Sequence, residues 1–150
     1  DWSVNKIWWQ RTEHALKQKN QTAIIGARYP HKQKYINMLV SVGEARDLAF
    51  VNRVPIPLGM WNPLQKNSAQ AAWWGNGIQK IGGQKIAALI CYEQLLIWPV
   101  LASISQNPDM LIGASNHWWA KETSIPRIQR QTVMAWGRLF NIPITYSENL

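Results

Sequence analysis

Buried strands alternating with helices predict a layered α/β fold. Two observations carry that prediction. Short apolar runs recur between clusters of Gly, Pro and polar residues, and those at 85–90 and 110–114 are continuous, as in central strands covered on both faces. The stretches at 3–19 and 124–140 instead space their apolar residues at helical period. With 150 residues, 47% hydrophobic and only 16% charged, the chain suits one domain with a sizeable core and is too apolar for disorder.

The first helix is expected over 3–19, with Val4, Ile7, Trp8, Ala15 and Leu16 on one face and Asn20 ending it. Strands follow at 22–29, with Pro30 as a stop, and at 35–42, closed by Gly43 and Glu44. A third, short strand fits 48–51, and the polar stretches 30–34 and 43–47 read as hairpin connections. Residues 52–83 read as one long irregular region rich in Pro and Gly, and long loops in compact domains are often functional. The strand at 85–90 runs into Cys91, Tyr92 and Glu93. Pro99 suits the first turn of a helix that Asn107 and Pro108 stop. After 110–114, residues 115–123 read as a polar and aromatic loop. Thr123 or Ser124 caps the last helix, whose apolar stripe is expected at Ile125, Ile128, Thr132, Ala135, Trp136 and Leu139. Asn141 and Pro143 end it, and a final strand begins over 142–146.

Several function classes are excluded by what is missing. No apolar run reaches the roughly 18 residues that span a bilayer, and no leader peptide opens the chain. The chain starts at Asp1 without an initiator Met, so it is expected to be a piece of a longer protein. His14, His31 and His117 are scattered and Cys91 is the single cysteine, so no metal-ligand spacing and no internal disulfide arise. No GxGxxG or P-loop occurs, and no cofactor is expected. The formal charge of +8 suits an anionic partner, yet the basic residues are dispersed, which reads as solvated faces. Direct nucleic-acid binding is therefore not expected. Ten Trp, several in adjacent pairs, suit half-wet surfaces and membrane interfaces as well as ordinary packing.

Cys91 stands at the end of an apolar strand and before a polar turn, where ligands gather in an open α/β sheet. A lone Cys is ordinarily a small buried hydrophobe, and its neighbours change that reading. Ile90-Cys91-Tyr92-Glu93 resembles the nucleophile motif of the carbon–nitrogen hydrolase (nitrilase) superfamily. Leu111-Ile112-Gly113-Ala114-Ser115-Asn116-His117-Trp118-Trp119 resembles that family's strand ending SN-x-x-W. Tyr35-Ile36-Asn37-Met38-Leu39 and Val54-Pro55-Ile56-Pro57-Leu58-Gly59 are similar to its YNSLL strand and LVPFG loop. The helix from Ser124 to Arg138 and the following Asn141-Ile142-Pro143 are similar to its later helix and strand. Order and spacing match from about residue 20 onward. Apolipoprotein N-acyltransferases are a close branch, and Gln94-Leu95-Leu96 with Trp98-Pro99 resembles TraB-type conjugal transfer proteins still more.

The resemblance implies a four-layer αββα sandwich, incomplete at both ends, with 1–150 the central and C-terminal part of one domain. It implies a thiolate that attacks a carbonyl, a Glu base and a Lys that meets developing negative charge. Cys91, Arg53 and Glu93 are then the catalytic candidates, and Tyr92, Asn116 and Trp118 the substrate-binding ones. The base is expected before Asp1. The Lys position is taken by Asn52 or Arg53, depending on a one-residue gap, and Arg cannot donate a proton as Lys does. His117 is expected to have no catalytic role. The implied partners are a lipid or amide-type acyl substrate and a membrane. The implied location is the bacterial inner membrane, with this domain periplasmic. The alternative is a non-catalytic component of conjugal DNA transfer or pilus maturation.

Overall fold

A computed structural model describes residues 6–45 and 48–150. Its elements are helix α1 (Lys6–Gln18), strands β1 (Thr22–His31), β2 (Lys34–Gly43), β3 (Ala49–Val51), β4 (Ile78–Ile81) and β5 (Gln84–Ile90), a 3-10 turn (Cys91–Leu95), helix α2 (Ile97–Ile104), strand β6 (Met110–Asn116), helix α3 (Ile125–Phe140) and strand β7 (Ile144–Asn149). The first three strands form an antiparallel sheet in chain order. The other four form a second sheet, with β4 antiparallel to β5 and β5, β6 and β7 parallel.

The two sheets face each other. Leu39 and Phe50 of the first pack against Ile86, Ala88 and Ile112 of the second. The opposite side chains of the second sheet, Ile78, Ala87, Leu89 and Leu111, pack with Val100, Ile104, Trp136 and Phe140 of the helices. Alternate residues of β5 therefore serve different layers, which is why that strand is apolar without a break. Helix α1 packs against β1 and β2. The layers run α, β, β, α, as expected.

Several boundaries moved. Strand β1 continues through Pro30, which pairs with Tyr35, because β1 is an edge strand and a missing N–H can face solvent there. The 52–83 region is not wholly irregular: β4 closes on β5 through Gly82 and Gly83, whose φ of +57° and +84° fit a two-residue turn. Ser115 and Asn116 belong to β6, paired with Glu148 and Asn149, rather than to a loop. The last strand begins at Ile144, since Asn141 at φ +51° and the bond from Ile142 N–H to Gly137 O first turn the chain out of α3. Val4 and part of the 43–47 connection lie outside the described residues.

Both long helices are rotated from expectation. In α1 the half-buried residues are Trp9, Thr12, Glu13, Leu16 and Lys17, while Trp8 and Ala15 are exposed and the Ile7 side chain lies outside the described residues. In α3 the buried residues are Pro126, Gln129, Val133 and Gly137, leaving Ile128 and Leu139 outside, Leu139 at 67% exposure. Gly113 and Gly137 explain the rotation of α3. A Cβ on Gly113 would stand 3.0 Å from Val133 Cγ1, and one on Gly137 would stand 2.8 Å from Ile144 Cδ1. The helix is drawn down along the residues that allow close approach, and a polar Gln is carried inward with them.

Candidate active site

Cys91 follows β5 directly and sits in the left-handed region, at φ +52°. A non-Gly residue costs energy there and persists only where its surroundings hold it. Here the holder is Glu93, two residues on and 1% exposed. Its carboxylate accepts from Ile90 N–H at 3.3 Å, Val54 N–H at 3.2 Å, Asn52 Nδ2 at 2.7 Å, Arg53 Nη2 at 3.3 Å, and Arg53 N–H. Three backbone donors, an amide and a guanidinium thus converge on one carboxylate. They tie the turn after β5 to the segment after β3.

Arg53 is buried as deeply, at 2% exposure. Its Nη1 donates to Ser103 Oγ on α2 at 3.0 Å and its Nη2 to Ala88 O on β5 at 3.3 Å. Gly77 makes room: a Cβ there would come within 2.5 Å of Nη1. The positive charge expected at Arg53 is present and is directed at Glu93. Asn52 is also occupied, donating to Glu93 and to Ile90 O at 3.3 Å.

The surroundings of the sulfur follow from α3. Burial pushes the Cys91 thiol up from its ordinary range; the neighbouring Tyr92 backbone and Gln129 side chain pull it back in part, and the nearby Glu93 charge pushes it up further. Tyr146 on β7 is also raised, first by burial, with Ser115 and Arg130 opposing and Cys91 adding to the rise. Gln129 is buried; its Oε1 accepts from Ser115 Oγ at 3.1 Å and its amide pairs with His117 Nε2. Gln94 Nε2 donates to Ser115 Oγ at 2.8 Å, Ala114 O at 3.1 Å and Leu89 O at 3.2 Å.

The remaining candidates lie at the rim. Tyr92 is half-buried beside Cys91. Asn116 is exposed at the end of β6 and accepts from Asn149 Nδ2 at 3.2 Å and, through its carbonyl, from Trp119 Nε1 at 3.2 Å. Trp118 is 65% exposed. The fold thus gathers Cys91, Glu93, Arg53 and Tyr92 at the carboxyl end of β5 and sets Asn116 and Trp118 at that of β6. Sequence reasoning passed over Gln94, Gln129, Ser115 and Glu148, and set His117 aside. Only the position of Ser115 and His117 after an apolar strand hinted at them.

Among the described residues no group of His, Cys, Asp and Glu is arranged to hold a metal, and no helix is long and apolar enough to cross a membrane.

Residues 29–138 match the family model described as carbon–nitrogen hydrolase. The conjugal transfer protein TraB of Agrobacterium fabrum is 35% identical over 153 residues, covering 98% of this chain and 35% of that protein. A probable conjugal transfer protein TraB of Sinorhizobium fredii is 36% identical over 141 residues, covering 90% of this chain and 36% of its own length. The chain therefore spans about a third of the curated relatives it matches. A carbon–nitrogen hydrolase from Helicobacter pylori superposes with a TM-score of 0.73 at 13% identity, over 97% of this chain and 51% of that one. NitN amidase from Neterenkonia sp. AN1 gives 0.65 at 14% identity, over 94% and 53%. At these identities the structural likeness is one of fold.

Proposed function

This chain belongs to the carbon–nitrogen hydrolase family and is related to TraB conjugal transfer proteins; on that premise we propose that Cys91 is a thiol nucleophile that takes an acyl group as a thioester. The observation that carries the reading is Cys91 at φ +52° on the carboxyl end of a central parallel strand, held there by the buried Glu93 cluster. Strain at one reactive side chain, supported by a dedicated set of donors, is the arrangement of a presented nucleophile. One solved neighbour of the same fold is described as carrying a covalent acetamide addition at its active-site cysteine, which supports the chemistry for that protein.

In the proposed step the sulfur attacks the acyl carbon and an S–C bond forms. The carbonyl electron pair moves onto oxygen and returns, and the bond to the leaving amine or alcohol breaks. The thiol proton passes to a base and then to the leaving group. Water or an amine next breaks the S–C bond and restores the thiol. By the resemblance the base is a Glu on an earlier strand of the whole protein. Arg53 acts by holding Glu93, and Glu93 by holding the turn that presents Cys91. Tyr92, Asn116 and Trp118 line the approach. A lipid or amide-type acyl donor is favoured, the exposed Trp118 and Trp119 beside the site suiting a membrane-facing mouth. Placement at the inner membrane, with this domain periplasmic, belongs to the same proposal.

One observation favours a second reading, a non-catalytic member serving conjugal transfer by binding alone. Burial disfavours the thiolate, and the nearby guanidinium is committed to Glu93. Full-length protein incubated with an acyl ester, quenched in acid and analysed by peptide mass spectrometry separates the two. An acyl adduct on Cys91, together with loss of plasmid transfer in Cys91→Ala, supports catalysis. Wild-type transfer by Cys91→Ala establishes the binding role instead.

A further inference from the structure

The β4–β5 hairpin carries a feature that the acyl chemistry above does not use. Its register sets Lys80 directly opposite Lys85. Side chains paired in this way share one face of the sheet and stand close together, and two like charges there repel. Both residues are exposed, and among the described residues no carboxylate pairs with either ammonium. The Asp109 carboxylate accepts the Lys85 backbone N–H at 2.7 Å and so fixes the start of β5 instead.

The two lysines border a cleft of about 440 Å³ at β4, the start of β5 and the end of α2. Leu48 and Ile78 contribute apolar lining, and Asn76, Gln79 and Gln106 contribute polar lining. Lys85 Nζ donates to Gln106 O at 3.4 Å, which holds its charge at the cleft. An ammonium has three donors, so two remain. Capping the end of α2 accounts for Lys85 but not for Lys80 opposite it. Asn76 Oδ1 accepts the Ile78 N–H at 3.1 Å, which leaves its Nδ2 end as a further donor. The Gln79 amide is committed elsewhere, donating to Ala49 O at 2.7 Å.

We propose that this cleft binds a phosphate monoester, whose phosphate bridges Lys80 and Lys85 and accepts from Asn76, with its organic part against Leu48 and Ile78. Charge decides the ligand class. A phosphate monoester carries about −1.5 to −2 at pH 7 and offers three strong acceptor oxygens, whereas a carboxylate would neutralise one lysine and leave the other unmatched. The formal charge of +8 on the chain also favours an anion. The site is separate from the thiol: Lys85 lies six residues before Cys91 along extended chain, about 20 Å away. The inference therefore stands whether or not Cys91 is a nucleophile. A small soluble ester and a phosphatidic acid headgroup share this chemistry, and the test separates them.

Purified full-length protein in detergent is titrated by calorimetry with glycerol 3-phosphate. In parallel it is titrated with micelles of the same detergent doped with phosphatidic acid or, as the blank, with phosphatidylcholine. Lys80→Gln and Lys85→Gln should each weaken binding about five- to tenfold, since each removes one charge-assisted bond. Lys66→Gln, which removes the same charge outside the cleft, should leave binding unchanged. Without ligand, Lys80→Gln should melt no lower than wild type, because it relieves the repulsion across the hairpin. Lysine-dependent binding of glycerol 3-phosphate would identify a soluble ester, and lysine-dependent binding confined to phosphatidic acid would identify a headgroup; either supports the site. Absence of binding to both probes would overturn the proposal. So would an equal loss of affinity in Lys66→Gln, which would mark a diffuse effect of net charge, or a Lys80→Gln melt well below wild type, which would give that lysine a structural duty.

Discussion

Glu93 and Arg53 are the residues on which the site's geometry depends. Both are buried, and each charge is offset by the other at 3.3 Å. Removing one partner leaves a buried charge exposed to a low dielectric. Glu93→Ala should therefore cost about 3–5 kcal/mol in a denaturant melt of the full-length protein. The double replacement of Glu93 and Arg53 by apolar residues should cost less than the sum of the two single changes. Cys91 carries the matching pH prediction. Its folded pKa is raised by burial, so labelling by a neutral alkylator should climb at higher pH in the native protein than in the urea-unfolded chain. The linkage has the same sign: the unfolded thiol ionises first, so stability present below the ordinary thiol range is lost as pH rises through the folded value.

Helix α3 joins the residues to the sheet. Its seat on β6 and β7 depends on Gly113 and Gly137, where a side chain would collide with Val133, Tyr146 or Ile144. Gly113→Val should push the helix outward and cost about 1–3 kcal/mol by overpacking. The two faces of α3 make a contrasting pair. Val133→Ala should cost about 2 kcal/mol, whereas Leu139→Gln should lie within about 0.5 kcal/mol of wild type. The expected apolar stripe would have given the reverse order, so a thermal or urea melt of the two variants distinguishes the faces directly.

At the scale of the molecule, two sheets bury a shared core while α2 and α3 cover the second sheet. Ile97, Trp98 and Leu101 of α2 remain exposed, with Trp74 set edge-on to Trp98 at 5.3 Å. Strands β1 and β7 each have an unpaired edge within the described sheets. Unpaired edges and apolar faces invite association. Residues 1–150 expressed alone should therefore self-associate in sedimentation or light scattering. A sharply cooperative melt from a monodisperse monomer would count against this.

The family, the order of every element except β4, and the place of Cys91 at a strand end were legible in the sequence. They rest on local signals: apolar runs without a break, Asn and Gly where the backbone turns left-handed, and short motifs in a set order. Helix rotation was not legible. Several faces of α3 have comparable hydrophobicity, and close approach at two glycines decided between them. The partners of Glu93 and His117 were not legible either. Arg53 lies 40 residues before Glu93, and Glu148 lies 31 residues after His117. Nothing local marks such pairs. Local pattern was enough for most elements and for where the thiol stands; the buried polar groups around it came only with tertiary packing, because those contacts exist only once β3, β5, β6, β7 and α3 have packed together.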